Sequence, residues 1–145
     1  MSFYEDLAFG NIYEKKLVEL LDKDDFKIMK GYFPFYDVEI IKGGVTTKYE
    51  VKTDRISFKN NCILIEYFCS NKPSGIFVTT ADYYAYFIVK PHEVYDLYLI
   101  PVELLFKLIK NKEYINDISS KNKNSKMYVF NLDLFLEYKL INKIK

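Results

Sequence analysis

The stretch "DVEIIKGGVTTKYEVKTD", residues 37–54, decides how the rest of the chain is read. It consists of two alternating segments joined by Gly43-Gly44, a dipeptide that supplies the positive φ angles of a two-residue hairpin. Alternation sends Asp37 and Glu39 to one face of the first arm, with Val38 and Ile40 on the other. In the second arm Glu50, Lys52 and Asp54 share a face, opposite Tyr49, Val51 and Thr53. Pairing of the arms would set Asp37, near the start of one, beside Glu50, near the end of the other. Read alone, this charged face is a solvated strand surface with cross-strand ion pairs of little energetic consequence.

Upstream, residues from about Tyr4 to Lys23 carry apolar side chains at Leu7, Leu17, Val18, Leu20 and Leu21, the period of an amphipathic helix, before the acidic run Asp22 to Asp25. Glu14 falls on the same stripe: it lies seven after Leu7, three before Leu17 and four before Val18. A carboxylate on the inward face must find a cation, a donor or the lip of a cleft. Pairing with a lysine at the helix edge is the ordinary outcome for such an acid.

"FKIMKGYF" predicts a short strand, and "CILIEYF" (62–68), apolar on both sides apart from Glu66, a central strand covered by helices. A turn is expected at Pro73 to Gly75, a short helical turn opened by Thr79 or Thr80, and a strand from about Tyr83 to Val89. "VYDLYLI" is a further strand, with Pro101 in the first turn of the helix "VELLFKLIKN". "NDISSKNKNSK" reads as a polar loop, and the remainder as a strand or turn followed by a helix. Tyr83, Tyr84 and Tyr86 are candidates for base stacking, though core packing is the commoner role of such residues. With neither repeat nor linker, residues 1–145 read as a single domain: an α/β fold, a three-layer α/β/α sandwich around a mixed central sheet.

Half of the residues are hydrophobic, which is enough for a core and argues against disorder. The formal net charge of +1 excludes a global electrostatic footprint for nucleic acid, so any such surface must come from uneven charge. Residues 1–25 hold seven acids against three lysines, and residues 107–145 nine lysines against four acids. Lys121, Lys123 and Lys126 make a basic loop suited to phosphate or merely to solvent. Arg55 stands alone among 21 basic residues, a guanidinium fork that lysine does not replace. Cys62, Cys69 and the sole histidine, His92, form neither a disulfide framework nor a zinc site, which favours an intracellular, reduced setting. No apolar run reaches the ~20 residues of a membrane span, and no secretory leader is apparent.

Asp37 and Glu50, with the backbone carbonyl of Val51, offer the hard oxygen donors that Mg²⁺ takes. Lys52, two residues beyond Glu50 on the same face, brings an ammonium that can hold an attacking water or stabilise charge developing on a phosphate. Asp37 followed by "EVK" (50–52) resembles the signature of the PD-(D/E)XK nucleases, the metal-dependent fold of restriction enzymes, RecB-type exonucleases and Holliday-junction resolvases. The likeness covers roughly Tyr4 to Tyr67. "YEVKTDR", "CILIEY" and "KPSGIFVTTADYYAYFI" resemble more narrowly a group of small phage and bacterial members.

The resemblance implies a restriction-endonuclease-like fold, metal ligation by Asp37, Glu50 and the Val51 carbonyl, Lys52 as catalytic lysine, and Glu14 as a further catalytic ligand. Tyr36 stands where the signature has proline, a departure from the pattern. Arg55, Glu66, Ser74 and Thr79 are candidates for supporting or DNA-contacting roles. The implied activity is Mg²⁺- or Mn²⁺-dependent hydrolysis of DNA phosphodiesters, directed at branched DNA, duplex ends or single strands, by a homodimer if both strands are cut symmetrically. An RNA target is chemically equivalent at the metal. The competing expectation is a non-catalytic module that binds nucleic acid or protein on the same fold.

Overall fold

The computed structural model describes residues 3–120 and 124–140, with the side chains of residues 3–9 and 120 set aside. Helix α1 (Phe3–Leu20) leads into β1 (Asp25–Ile28), β2 (Val38–Lys42) and β3 (Val45–Asp54). Then come β4 (Cys62–Cys69), β5 (Lys72–Pro73), β6 (Tyr83–Val89), β7 (Tyr95–Pro101), α2 (Val102–Lys110), β8 (Asn116–Ser120) and β9 (Ser125–Asn131). The fold is mixed α/β, mostly strand, and built on two sheets of order β1-β2-β3-β6-β7 and β5-β4-β9-β8.

The central hairpin forms as its sequence requires. Lys42 pairs with Val45, which leaves Gly43 and Gly44 as a two-residue loop with φ of 57° and 78°. Asp24 accepts a hydrogen bond from the Gly43 N–H at 2.7 Å, and the acidic run after α1 thereby pins the turn. On one face of this sheet Tyr13, Leu17 and Val18 of α1 bury against Val38, Ile40, Tyr49, Phe87 and Val89. Each such side chain removed from water contributes about 1.5–3 kcal/mol, which holds α1 and the Glu14 it carries in register with the hairpin.

The other face differs from expectation. It packs on Ile63 and Ile65 of β4, Phe130 of β9, and Val102, Leu105 and Leu108 of α2. A four-stranded sheet and one helix therefore occupy the side where the α/β/α reading had helices. The apolar run of β4 is interior to this second sheet, between β5 and β9, rather than central in the first. A continuous hydrophobic strand declares burial but not what buries it. The strand buried on both faces is β6, whose Tyr84, Tyr86 and Ile88 enter one core while Ala85, Phe87 and Val89 enter the other. It runs parallel to β3, and the chain between them crosses through β4 and β5.

Two local expectations are corrected, and a third is made specific. The short helical turn lies at Gly75–Phe77, after Ser74, not at Thr79 or Thr80. The polar segment 116–120 is an edge strand paired with β9; solvation of an outer strand is what makes it look like a loop. At the end of the chain the strand β9 is followed by the expected helix, which over Leu132–Tyr138 takes 3₁₀ form, opened by Asn131, whose side chain accepts the Asp133 N–H at 2.9 Å. Residues 141–145 lie outside the described part.

Candidate active site

Continued by one residue past Val38↔Tyr49, the β2–β3 register sets Asp37 opposite Glu50. At that point the ladder gives way to side-chain chemistry. The Asp37 N–H still donates to the Tyr49 carbonyl at 2.9 Å, and the Asp37 carboxylate accepts the Val51 N–H at 2.7 Å. This bond fixes Asp37 where the two strands part. Glu50 is partly buried beside Tyr84, its β6 partner, and Lys52 next along the same face is exposed.

Electrostatics tie Glu14 to this pair across the sheet. Burial, then the nearby Asp37 carboxylate, push Glu14 up to about 7. Burial and Asp37 push Glu50 up to about 8, against the pull of Lys52 and Thr79, with Glu14 adding to the rise. Burial raises Asp37 as well, opposed by the Val51 N–H and Lys52. Burial thus raises all three carboxyls, and the charge of Asp37 adds to the rise at Glu14 and Glu50, a condition that a divalent cation would relieve. As arranged, no three His, Cys, Asp or Glu side chains among the described residues close on a common point as a metal cage. The donor set is nevertheless one of hard oxygens, suited to Mg²⁺ or Mn²⁺ rather than to a thiophilic ion.

The supporting residues separate into two groups. Thr79 anchors the loop before β6: its hydroxyl donates to the Phe35 carbonyl at 2.8 Å, lies 3.3 Å from a Glu50 oxygen and accepts the Ala81 N–H at 3.1 Å. A hydroxyl carries one proton, so the longer Glu50 contact is the weaker of the first two. Ser74 donates to Glu66 at 2.9 Å. Next to it Gly75 is obligatory, since a Cβ there would stand 2.1 Å from the Glu66 carbonyl oxygen and φ is +50°. Glu66 therefore belongs to the site's wall: together with Glu50, Lys52 and Tyr84 it lines a cleft of ≈ 320 Å³. Burial and the carboxylates of Glu50, Glu66 and Asp37 raise the Tyr84 hydroxyl well above its usual value. Arg55 stands one residue past β3 in an adjoining cleft of ≈ 700 Å³, which shares Lys52 and Glu66 with the first.

Asp54, on the charged face with Glu50 and Lys52, has a different role. It accepts from the N–H groups of Ile56 and Ser57, both at 2.8 Å, and from the hydroxyls of Ser57 and Tyr86. Burial works to raise it, but these bonds hold it below the ordinary carboxylate value.

Of the tyrosines considered for stacking, Tyr84 and Tyr86 are core residues and Tyr83 stacks on Tyr49 at 5.7 Å. Lys126 lies on β9 with its ammonium 5.0 Å from the Phe68 ring, while Lys121 and Lys123 fall outside the described residues. Sequence reasoning missed Tyr32, Pro34 and Lys72, which also line the smaller cleft. They sit in a loop and a two-residue strand, where no periodicity distinguishes them. Cys62 and Cys69 are not joined in a disulfide, and among the described residues no helix is long and apolar enough to cross a membrane. No family model, curated protein or solved structure matches the chain.

Proposed function

We propose that this protein is a divalent-metal-dependent nuclease that hydrolyses phosphodiester bonds in DNA. The observation that carries the reading is the electrostatic grouping of Asp37, Glu50 and Glu14, three carboxyls raised above their ordinary range, of which Glu50 lines an open cleft together with Lys52. The order helix, short strand and hairpin, with α1 packed on the sheet face, supports the restriction-endonuclease-like, PD-(D/E)XK reading of this part of the chain.

Asp37 and Glu50 would hold Mg²⁺ or Mn²⁺, with the Val51 carbonyl and Glu14 as further donors. The ion, when bound, supplies Lewis acidity and lowers the pKa of a coordinated water. The chain's own groups do the rest. Asp37 is held in place by the Val51 N–H, so it does not have to be ordered when substrate arrives. Lys52, exposed on the same face as Glu50, presents its ammonium to a phosphate oxygen or to the attacking water. Thr79 keeps Glu50 against the loop before β6, and Ser74 orients Glu66. A twofold dimer would let such a site cut both strands of a duplex symmetrically.

The test incubates wild type and Lys52→Ala with labelled linear duplex, single-stranded and four-way-junction DNA, in Mn²⁺, Mg²⁺ or EDTA. Metal-dependent cleavage by the wild type and its loss in Lys52→Ala is the expected result. Binding by both proteins with cleavage by neither would replace this reading with that of a non-catalytic nucleic-acid-binding module.

A further inference from the structure

Tyr32 is the most exposed large side chain among the described hydrophobic residues, at 84 % relative accessibility. It contributes little to the core, yet it lines the same cleft as Glu50 and Lys52. The Lys72 ammonium lies 5.9 Å from its ring centroid and Lys72 lines that cleft too, so an aromatic plane and a cation stand together in the cleft that Glu50 and Lys52 also line. The cleft is ≈ 320 Å³, near the lower end of the roughly 300–1,000 Å³ of small-molecule sites, a size for one nucleotide unit and not for a stacked base pair. Past Lys52 and Glu66 it adjoins the ≈ 700 Å³ cleft that holds Arg55. The result is a path between the two sheets with an aromatic and a lysine at one end and Lys52 midway.

From this arrangement we infer that the substrate enters as an unpaired strand, one base stacking on Tyr32 while the backbone follows Lys72 and Lys52. The inference rests on the nuclease reading for what happens at Glu50 and Lys52, but strand recognition itself does not require cleavage. Every base has a π face, so a stacking platform beside cations recognises single strands with little regard to sequence. A base already paired and stacked in a duplex has no face to offer.

The test measures binding of a labelled oligothymidylate and of a blunt duplex in EDTA, by fluorescence anisotropy, to wild type, Tyr32→Phe and Tyr32→Ala. Circular dichroism melts serve as the folding control, which an exposed side chain is expected to pass. The wild type should prefer the single strand, Tyr32→Ala should weaken that binding about tenfold, and Tyr32→Phe should retain it. Equal or tighter binding to blunt duplex, unchanged binding in Tyr32→Ala, or no binding to either probe overturns the inference. The two readings fail separately. Tyr32-dependent strand binding without metal-dependent cleavage sinks the nuclease alone, and cleavage of duplex indifferent to Tyr32→Ala sinks the strand path alone.

Discussion

Glu50 and Asp54 lie four residues apart on one face of β3, and the fold treats them in opposite ways. Asp54 is buried and met by four donors, two backbone N–H groups and two hydroxyls, which hold it ionised. Glu50 is partly buried, has among the described residues only the 3.3 Å contact to Thr79 as a hydrogen bond, and feels the charges of Asp37 and Glu14. A carboxylate satisfied by its own protein is finished structure. One left in a raised, crowded state stores a demand that an external cation can meet. On the proposed reading, the difference separates the structural acid of the hairpin from the chemical one.

The comparison breaks most visibly at Asp54. Asp54→Ala strands four donors in the interior and should cost about 3–5 kcal/mol, read as a lowered urea midpoint with unchanged slope. Its pKa is depressed by folding, so the stability it gives is present above the ordinary carboxylate range and is lost as pH falls through the folded value. A Glu50 substitution should do the reverse. With the folded pKa raised to about 8, wild-type stability attributable to this group is full below the ordinary value near 4.5 and is lost as pH rises through about 8. Glu50→Gln should therefore stabilise the metal-free protein at pH 9 by on the order of 2 kcal/mol and change little at pH 4.5, measured by urea titration at both pH values. A destabilised Glu50→Gln protein at pH 9 would make Glu50 a structural acid like Asp54.

The wall of the cleft gives a smaller effect. Gly75→Ala forces a methyl onto the Glu66 carbonyl, and the turn must shift at a cost of about 1–3 kcal/mol. Metal-dependent activity should fall further than stability explains, because Ser74 loses its hold on Glu66. Thr79→Val should be the mildest, at about 1 kcal/mol, with the pKa of Glu50 moved upward as one opposing hydrogen bond disappears. Titration of the Glu50 carboxyl by carbon NMR would read that direction.

The contrast between Glu50 and Asp54 was not legible in the sequence, although much around it was. The Gly43-Gly44 turn and two alternating arms dictate the register that brings Asp37 to Glu50, and helical spacing alone places Glu14 on the inner stripe of α1. The strand Tyr83–Val89 was legible for the same reason of local pattern. What failed was nonlocal. Polar 116–120 carries no sign that β9 will pair with it, and the β4 run does not reveal whether helices or strands cover it. Asp54 looked like a third member of the charged face because its donors, Ser57 and Tyr86, come from a turn and from another strand. Tyr32 lies in a loop with no period to betray that it borders the acids.

The central claim, that Glu14, Asp37 and Glu50 form a site waiting for a hard cation, is tested most directly by calorimetric titration of Mn²⁺ at pH 7 in two buffers of different ionisation enthalpy. The wild type should bind the ion and release protons, since carboxyls raised to about 7 and about 8 must give theirs up to ligate it. Glu50→Gln should lose both the binding and the proton release. Absence of binding by the wild type, or binding by Glu50→Gln with undiminished affinity and proton release, would contradict the account.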